Sequence, residues 1–445
     1  MADDRDDRKA RDDRDQRDRL LRAAAAFGGA LGSARRVAGA LQGALRDAIA
    51  EARDGEPAPH HVVGYRGYGT GSTALVQARA LRRRAFSTAD AALPRWRNLL
   101  DALRRIRSDP LPHAPVSARL ADTTHALRAD DEGFVHRWVT LPQPLAPGAW
   151  HPVQFALAEH AQPGDPDARA TSGVLVPPAN ARFGVISDMD DTVLQSDVSS
   201  FLSAARMVLL ENARTRLPFP GVAAFYRALQ AAVPGGVAGE HGAAGNPIFY
   251  VSSSPWNLYD VIADFLDAQA IPAGPLLLRD WDLGPSLRSN RGHKLARIRE
   301  VFATYPQLPF LLVGDSTQED PEIYGTLARE YPGRVLAIYI RDVHRDAARR
   351  TAIQALAADV QATGAALVLA DDTLAAARHA AAHGWIAPGA VDAVAAASAA
   401  EADRARAERQ GAAPETPGVS TDAPHPAHAA PTLVVDETLP KHPPA

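Results

Sequence analysis

The chain has 445 residues, of which 46% are hydrophobic and 22% are charged, and its formal net charge is −4. That apolar content excludes wholesale disorder, and the length fits two or three domains of ordinary size. The absence of cysteine excludes a disulfide framework, a zinc-thiolate site, an iron–sulfur cluster and a Cys nucleophile from this chain, and the slightly acidic balance gives no global basic surface for nucleic acid.

The N-terminal part divides into a charged arm and a helix. Residues 1–19 are a mixed-charge run that cannot bury a core, and no apolar segment makes them a signal peptide, so cytoplasmic residence is expected. Residues 20–54 repeat apolar and small side chains at helical spacing, which predicts an amphipathic helix. Charges interrupt every candidate span, so no transmembrane segment is expected. The helix either packs on the protein or on a second copy, or residues 20–53 make peripheral contact with the inner membrane surface.

Residues 60–181 are expected to form a small β-rich, sandwich-like domain after a linker at 55–59. Short apolar runs are separated by Asp, Gly and Pro, as is typical of antiparallel strands. The runs are Thr73–Ala80, Val116–Leu120, Gly133–Leu141 and Val153–Leu157. A helical insert at roughly Ala89–Ile106 interrupts them, and Tyr65–Thr70 is expected to be a turn supported by glycine.

Residues 182–388 show the pattern of an α/β fold. Continuous apolar runs, rich in β-branched and aromatic residues, alternate with helical stretches, which is typical of buried parallel strands. The runs are Phe183–Ile186, Ile248–Val251, Phe310–Val313, Val335–Ile340 and the weaker Ala366–Leu369. Residues 389–445 become Ala-rich and then Pro-rich, which predicts a fraying helix followed by a largely disordered tail.

The first of these runs leads into Asp188-Met-Asp190-Asp191-Thr192. Ligands of open α/β sheets bind outside the carboxyl ends of the strands, and clustered carboxylates there indicate a cation or a reacting phosphoryl group. Side chains at 188 and 190 project to the same side of an extended strand, so a nucleophile and an acid–base group can flank one atom. An ordinary acidic loop or helix cap is the alternative, and an EF-hand is disfavoured because Val193 occupies its glycine position.

Three later signals fall at strand ends or helix starts. Ser252 and Ser253 follow the second run, where hydroxyl and loop N–H groups suit phosphate oxygens, although the same pattern also caps helices. Lys294 is the only lysine between the charged arm and the tail of a chain with 45 arginines, which indicates a site that needs a compact ammonium. Asp315 and Asp320 follow the third run and offer the oxygen ligands that Mg²⁺ requires.

The order of these motifs resembles the haloacid dehalogenase superfamily of phosphotransferases, whose motifs are Asp-x-Asp-x-Thr, a strand-end Ser or Thr, a Lys and an acidic Gly-Asp segment. The surrounding residues look like the catalytic domain of the actin-patch-associated phosphatidate phosphatase family, in its bacterial type. The matching segments are Val185–Val193, Tyr250–Trp256, Gly292–Leu295, Val313–Tyr324 and, upstream, Tyr65–Thr70. This resemblance spans about residues 60–385 and implies a Rossmannoid parallel sheet.

The resemblance also implies catalytic roles. Asp188 would attack phosphorus and form an aspartyl-phosphate, while Asp190 would protonate the leaving alkoxide and then activate water. Thr192 and Ser252 would hold the turn and a phosphoryl oxygen. Lys294 would neutralise charge on Asp188 and on the phosphoryl group.

A Mg²⁺ cofactor follows from the same resemblance. Asp188, the backbone carbonyl of Asp190, and Asp315 would bind the ion, with Asp320 either a further ligand or a neighbour of the ligands.

The expected function is that of a Mg²⁺-dependent phosphomonoester hydrolase with phosphatidate as the leading substrate. Ser253, Arg214 and Arg216 are candidate substrate-binding residues, and a solvated helix face is the alternative for the two arginines. Two other functions are carried forward: hydrolysis of a soluble phosphoester, and a membrane or assembly adaptor with a vestigial phosphatase domain.

Two aromatic residues and a second acidic segment lie near these motifs or resemble them. Trp256 and Tyr259 either line the site or pack on the sheet. Asp371-Asp-Thr373 imitates the first motif at the wrong position along the chain, so a structural role is expected for it.

Overall fold

The structure, a computed structural model, describes residues 60–82, 110–157, 168–189, 219–231, 245–279, 290–343 and 346–409. The charged arm, the helix predicted over 20–54 and the insert predicted over 89–106 lie outside these ranges and stay predictions. Among the described residues, those up to Glu401 belong to one compact unit, and those after it belong to a second. None of the helices within the described ranges is both long and apolar enough to traverse a lipid bilayer.

Eight strands occupy the described part of residues 60–181. They are β1 (His61–Tyr65), β2 (Gly67–Tyr68), β3 (Thr73–Leu81), β4 (Pro115–Leu120), β5 (Thr123–Arg128), β6 (Phe134–Thr140), β7 (Ala149–Leu157) and β8 (Arg169–Val176). One sheet is antiparallel and has the order β1-β3-β6. The second has the order β2-β8-β7-β4-β5 and is antiparallel except for the parallel pair of β2 and β8. Buried side chains of both sheets, among them Val76, Val116 and Phe155, join in one apolar cluster. Two sheets facing a common core is the arrangement of a sandwich.

The segment Tyr65–Thr70 is not the simple turn that the sequence predicts. It contains the end of β1 and all of β2, which pairs in parallel with β8. Gly67 is required there because a Cβ at this position would lie 2.0 Å from the carbonyl oxygen of Leu75. The tight turn lies further along, where the N–H of Thr70 donates to the carbonyl oxygen of Thr73 at 2.7 Å.

The residues after 182 form a six-stranded parallel sheet. Its strands are β9 (Gly184–Asp188), β10 (Ile248–Pro255), β11 (Leu276–Arg279), β12 (Phe310–Asp315), β13 (Val335–Arg341) and β14 (Ala366–Ala370). The order is β11-β10-β9-β12-β13-β14, and every neighbouring pair is parallel. The central strands β9 and β12 are buried along their whole length, which explains their continuous apolar sequences. The predicted mixed α/β class is confirmed.

Helices cover both faces of this sheet. They are α1 (Val222–Ala231), α2 (Tyr259–Ala268), α3 (Asn290–Thr304), α4 (Asp320–Glu330), α5 (Ala347–Gln361), α6 (Thr373–Ala382) and α7 (Ala390–Arg409). Successive strand residues point to opposite faces. Ile186 of β9 therefore packs in the core formed with α3, α4 and α5, whereas Val185 packs in the core formed with α1, α2 and α6.

The β-rich segment contributes side chains to both of these cores. Tyr68 is fully buried, and its ring centroid lies 5.4 Å from that of Phe249 and 6.2 Å from that of Tyr305. Tyr65 lies on the other face, 4.5 Å from Tyr259. Both apolar cores, one on each face of the six-stranded sheet, therefore include side chains from residues 60–181.

Candidate active site

The carboxyl ends of two neighbouring strands bring two carboxylates together. β9 ends at Asp188 and β12 ends at Asp315, and both side chains are fully buried. The strands run in parallel, so both chains leave the sheet at the same edge. On the other side of β9, Val251 of β10 lies opposite Asp188, which places Ser252 at this edge as well.

Lys294 reaches this edge from near the start of α3. Its side chain is 2% exposed, and its Nζ lies 2.7 Å from Oδ1 of Asp188 and 2.7 Å from Oδ1 of Asp320. It also donates to Oε1 of Gln318 at 3.3 Å. No other lysine occurs within the described ranges. A compact ammonium suits this place because it can donate in three directions within a small volume.

Asp188, Asp315 and Asp320 form one buried acidic group, in which one oxygen of each residue lies within 4.8 Å of the others. Three carboxylates face one ammonium, so the group retains excess negative charge in a place that water solvates poorly. Burial raises the pKa of Asp320 to about 6; Asp315 acts in the same direction, while Lys294 opposes both. Buried oxygen ligands with excess negative charge fit a hard divalent cation.

Hydrogen bonds within the loop between β12 and α4 fix the two later carboxylates. The N–H of Asp315 donates to Oδ2 of Asp320 at 3.3 Å, and both the N–H and the hydroxyl of Thr317 donate to Oδ1 of Asp315. Gly314 is required at the strand end because a Cβ there would lie 2.6 Å from Oδ2 of Asp320. The loop therefore holds Asp315 and Asp320 in one arrangement relative to each other.

Arg349 of α5 holds the same loop, although no pattern in the sequence indicates it. Its guanidinium donates to the carbonyl oxygens of Ser316 and Gln318, at 3.0 and 2.7 Å, and pairs with both carboxylate oxygens of Glu322 on α4. Ser316 lies 33 residues before Arg349, so no local pattern indicates this contact. Through Gln318, Arg349 positions one of the three acceptors around Lys294.

The serine segment differs from the prediction in its local structure. β10 continues through Pro255, so Ser252 and Ser253 lie within the strand and not in a loop that follows it. Ser252 is buried, and its hydroxyl accepts from the N–H of Ser254 at 2.9 Å. The register between β10 and β11 shifts between Val251 and Pro255, so regular pairing is interrupted at the serines.

Two hydroxyl groups hold the backbone at the end of β9. The Ser187 hydroxyl donates to the carbonyl oxygen of Asp188 at 2.8 Å, which uses its one proton. The Tyr226 hydroxyl, 2.7 Å away, is therefore the donor to the Ser187 oxygen. Burial raises the pKa of Tyr226 well above its ordinary value, so this hydroxyl keeps its proton. Tyr226 lies on α1, too far along the chain for the motif to indicate it.

Four predicted site residues lie outside the described ranges, and their roles stay predictions: Asp190, Thr192, Arg214 and Arg216.

The structure also gives the positions of Trp256 and Tyr259 and of the Asp371–Thr373 segment. Trp256 and Tyr259 are buried, with ring centroids 4.9 and 4.5 Å from that of Tyr65, so they pack between the two segments. Asp372 caps α6 by accepting from the N–H of Ala375 at 2.7 Å, which confirms the structural interpretation of that acidic pair.

Among solved structures, a carbohydrate acetylesterase from Xanthomonas citri is similar over 68% of this chain and 72% of its own, with 12% sequence identity and a TM-score of 0.22. At that score the likeness carries no argument about this protein.

Similarity in sequence is concentrated on the α/β segment. Residues 183–342 match the family described as "Phosphatidate phosphatase APP1, catalytic domain". Phosphatidate phosphatase APP1 of Saccharomyces cerevisiae is 31% identical over 163 residues, which cover 36% of this chain and 26% of the yeast protein. An uncharacterized protein of Schizosaccharomyces pombe is 26% identical over 172 residues, which cover 37% of this chain and 26% of that protein. The resemblance to the phosphatidate phosphatase catalytic-domain family is therefore confirmed for residues 183–342.

Proposed function

We propose that this chain is a Mg²⁺-dependent phosphomonoester hydrolase that acts through Asp188. The observation that carries the proposal is the Lys294 ammonium, held 2.7 Å from Asp188 and from Asp320 at a sheet edge that also holds Asp315. Burying several charged groups opposes folding. A phosphoryl-transfer site accounts for them, because positioning and charge neutralisation supply most of the catalysis of phosphoryl transfer. A parallel sheet with these residues at its carboxyl edge supports a haloacid-dehalogenase-like arrangement.

In the proposed reaction, an oxygen of Asp188 attacks phosphorus and the alkoxide leaves, which gives an aspartyl-phosphate on this residue. Lys294 touches the same carboxylate and offsets the negative charge that gathers on the phosphoryl oxygens. Asp190 protonates the departing alkoxide and then takes a proton from the water that hydrolyses the intermediate. Ser252 holds a phosphoryl oxygen, and Thr192 keeps the supporting role that the family resemblance implies.

Asp188, Asp315 and Asp320, with the backbone carbonyl of Asp190, would hold the Mg²⁺. The three carboxylates suit the ion because they keep excess negative charge after pairing with Lys294. When bound, the ion supplies further neutralisation of the phosphoryl oxygens.

Phosphatidate is the proposed substrate. Its support is the name shared by the matched family and the yeast relative. The aligned part of this chain spans only 26% of the length of each curated relative. The activity of the whole chain is therefore part of the proposal.

The test compares hydrolysis of phosphatidate in mixed micelles with hydrolysis of a panel of soluble phosphomonoesters. We expect Mg²⁺-dependent release of phosphate from phosphatidate by the wild-type chain and a loss of about 10³-fold or more in Asp188→Asn, with an unchanged circular dichroism spectrum. Asp371→Asn is the matched control, because Asp371 also follows a strand of the sheet but is 60% exposed and pairs with Arg350.

Each of the other possible outcomes would change the proposed function. Release from soluble esters alone would replace the lipid substrate with a soluble one. Full activity in Asp188→Asn would reject the nucleophile. No turnover of any phosphomonoester by the wild-type chain would reject the enzyme and favour the adaptor.

A further inference from the structure

Arg341 is a charged residue at the carboxyl edge of the sheet that the proposed mechanism does not use. It is the last residue of β13 and is paired in register with Asp315, the last residue of β12. Residues in register on parallel neighbours lie about 4.8 Å apart and point to the same face. Arg341 is partly exposed, whereas Asp315, its neighbour on β12, is fully buried.

The guanidinium of Arg341 is held by neutral groups. It lies over the ring of Phe219, 3.6 Å from the centroid, and donates to the hydroxyl of Thr373 at 3.1 Å. Within the described ranges no carboxylate lies within ion-pair distance of it. One hydrogen bond uses only one of the five N–H donors of a guanidinium. The ring and the hydroxyl therefore fix its position and leave most of its donors for another partner.

The other arginines of this region are used fully by the fold. Arg349 pairs with Glu322 and two carbonyl oxygens, and Arg350 pairs with Asp342 and Asp371. At the opposite end of β13, Arg334 also lies over a phenylalanine ring, but it donates to the carbonyl oxygens of Phe302, Tyr305 and Leu308. Only Arg341, among these four, has no anion or set of carbonyl oxygens to compensate its burial.

Electrostatics agree with this position. Burial lowers the pKa of Arg341 to about 10, while Tyr226, Asp372 and Asp315 act in the opposite direction, so the guanidinium keeps its charge at neutral pH. Tyr226 is also the residue that holds Ser187 at the end of β9. Arg341 lies two strands away from β9, which ends at Asp188, with β12 and Asp315 between them at the same carboxyl edge of the sheet.

We propose that Arg341 binds non-bridging oxygens of the phosphoryl group, both in the phosphomonoester substrate and in the inorganic phosphate that is released. This inference rests on the proposed phosphatase function. The planar guanidinium fork matches two phosphate oxygens, whereas Lys294 provides a point charge that is already shared among Asp188, Asp320 and Gln318. Arg341 would therefore orient the group, and Lys294 would neutralise it.

The test measures binding of inorganic phosphate to the full chain by isothermal titration calorimetry in Mg²⁺ buffer, together with KM and kcat. Arg341→Met is expected to raise the Kd for phosphate about 10- to 100-fold, since it removes charge-assisted hydrogen bonds. It is expected to raise KM for phosphatidate and for a soluble phosphomonoester by a similar factor, with a smaller change in kcat. Arg334→Met is the matched control, since it removes a stacked arginine from the other end of β13 and should leave both constants unchanged.

Arg341→Lys provides the second measurement should the Met variant not fold. It keeps the charge and loses the fork, and we expect weaker phosphate binding in it, by about 3- to 10-fold. Unchanged phosphate affinity in either folded variant overturns the proposal, and so does a wild-type chain that binds no phosphate. If phosphate binding depends on Arg341 but no phosphomonoester is turned over, the proposed function fails while the anion site stands.

Discussion

Lys294→Met removes the one ammonium that lies within the buried acidic group. Asp188 and Asp320 would each lose the ion pair that they make with this ammonium at 2.7 Å, and they lie in one buried group with Asp315. Removing one member of a buried ion pair destabilises a fold by about 3–5 kcal/mol, because the charge left behind is poorly solvated. The Met side chain is similar in length, so little of this loss comes from packing.

The size of this loss depends on pH through Asp320. Burial raises its pKa to about 6 while Lys294 acts to lower it, so the pKa rises further in the variant. A carboxyl group whose folded pKa lies above its unfolded value destabilises the fold increasingly as the pH rises toward the folded pKa. The deficit of the variant relative to wild type therefore grows as the pH rises above about 6, by about 1.4 kcal/mol for each unit by which the pKa of Asp320 rises in the variant.

The assay is urea unfolding of the metal-free chain, followed by tryptophan fluorescence at about pH 6 and about pH 8. Arg299→Met is the control on the same helix. Arg299 pairs with Glu330 at 2.7 Å on an exposed surface, and such pairs contribute about 1 kcal/mol or less. A Lys294→Met chain within about 1 kcal/mol of wild type at both pH values would refute the reasoning about the buried acidic group.

Three other variants test the close approach at the end of β12, the packing between the two segments, and the contact between Glu300 of α3 and His136. Gly314→Ala would place a Cβ 2.6 Å from Oδ2 of Asp320, so we expect a loss of about 1–3 kcal/mol in thermal unfolding together with a lower kcat, and normal values of both would contradict the tight approach. Tyr68→Ala removes a fully buried ring between the two segments and should cost about 3–5 kcal/mol in urea unfolding, whereas a loss below about 1 kcal/mol would mean that the segments do not support each other. Burial acts to raise the pKa of Glu300, but the hydrogen bonds from His136 and Trp138 and the charges of Arg297 and His136 together outweigh it, and the pKa is about 2. Glu300 therefore contributes stability above pH 4.5 that is lost as the pH falls toward about 2, and Glu300→Gln should lack this part of the pH slope; an identical slope in the variant would reject the contact.

The parts of the fold that the sequence predicted are those whose pattern is set by complete burial. β9, β12 and β13 lie inside the sheet, so nearly every residue in them is apolar, and their runs were visible without the structure. β5 was not visible because half of its residues face solvent and four of its six residues are Thr, His or Arg. β11 was not visible because it has only four residues. Pattern alone is weakest for such short or half-exposed strands.

The candidate site divides in the same way. Asp188 and Asp315 follow recognisable strands, and Lys294 stood out because the chain otherwise uses arginine, so composition and position were enough to select them. The sequence does not indicate Arg341 or Arg349 as site residues, because their roles depend on contacts with residues far away in the chain. Placing such contacts requires the packing of helices on the sheet, which sequence periodicity does not specify.

The most direct test of the central claim is chemical trapping of the phosphorylated enzyme. The wild-type chain is mixed with Mg²⁺ and phosphatidate, quenched, and treated with borohydride, which reduces an aspartyl-phosphate to homoserine, and the site is located by tandem mass spectrometry. The proposed mechanism predicts substrate-dependent homoserine at position 188, absent when Asp188→Asn is used. Rapid turnover with no modified carboxylate, or with the modification on a carboxylate other than Asp188, would contradict it.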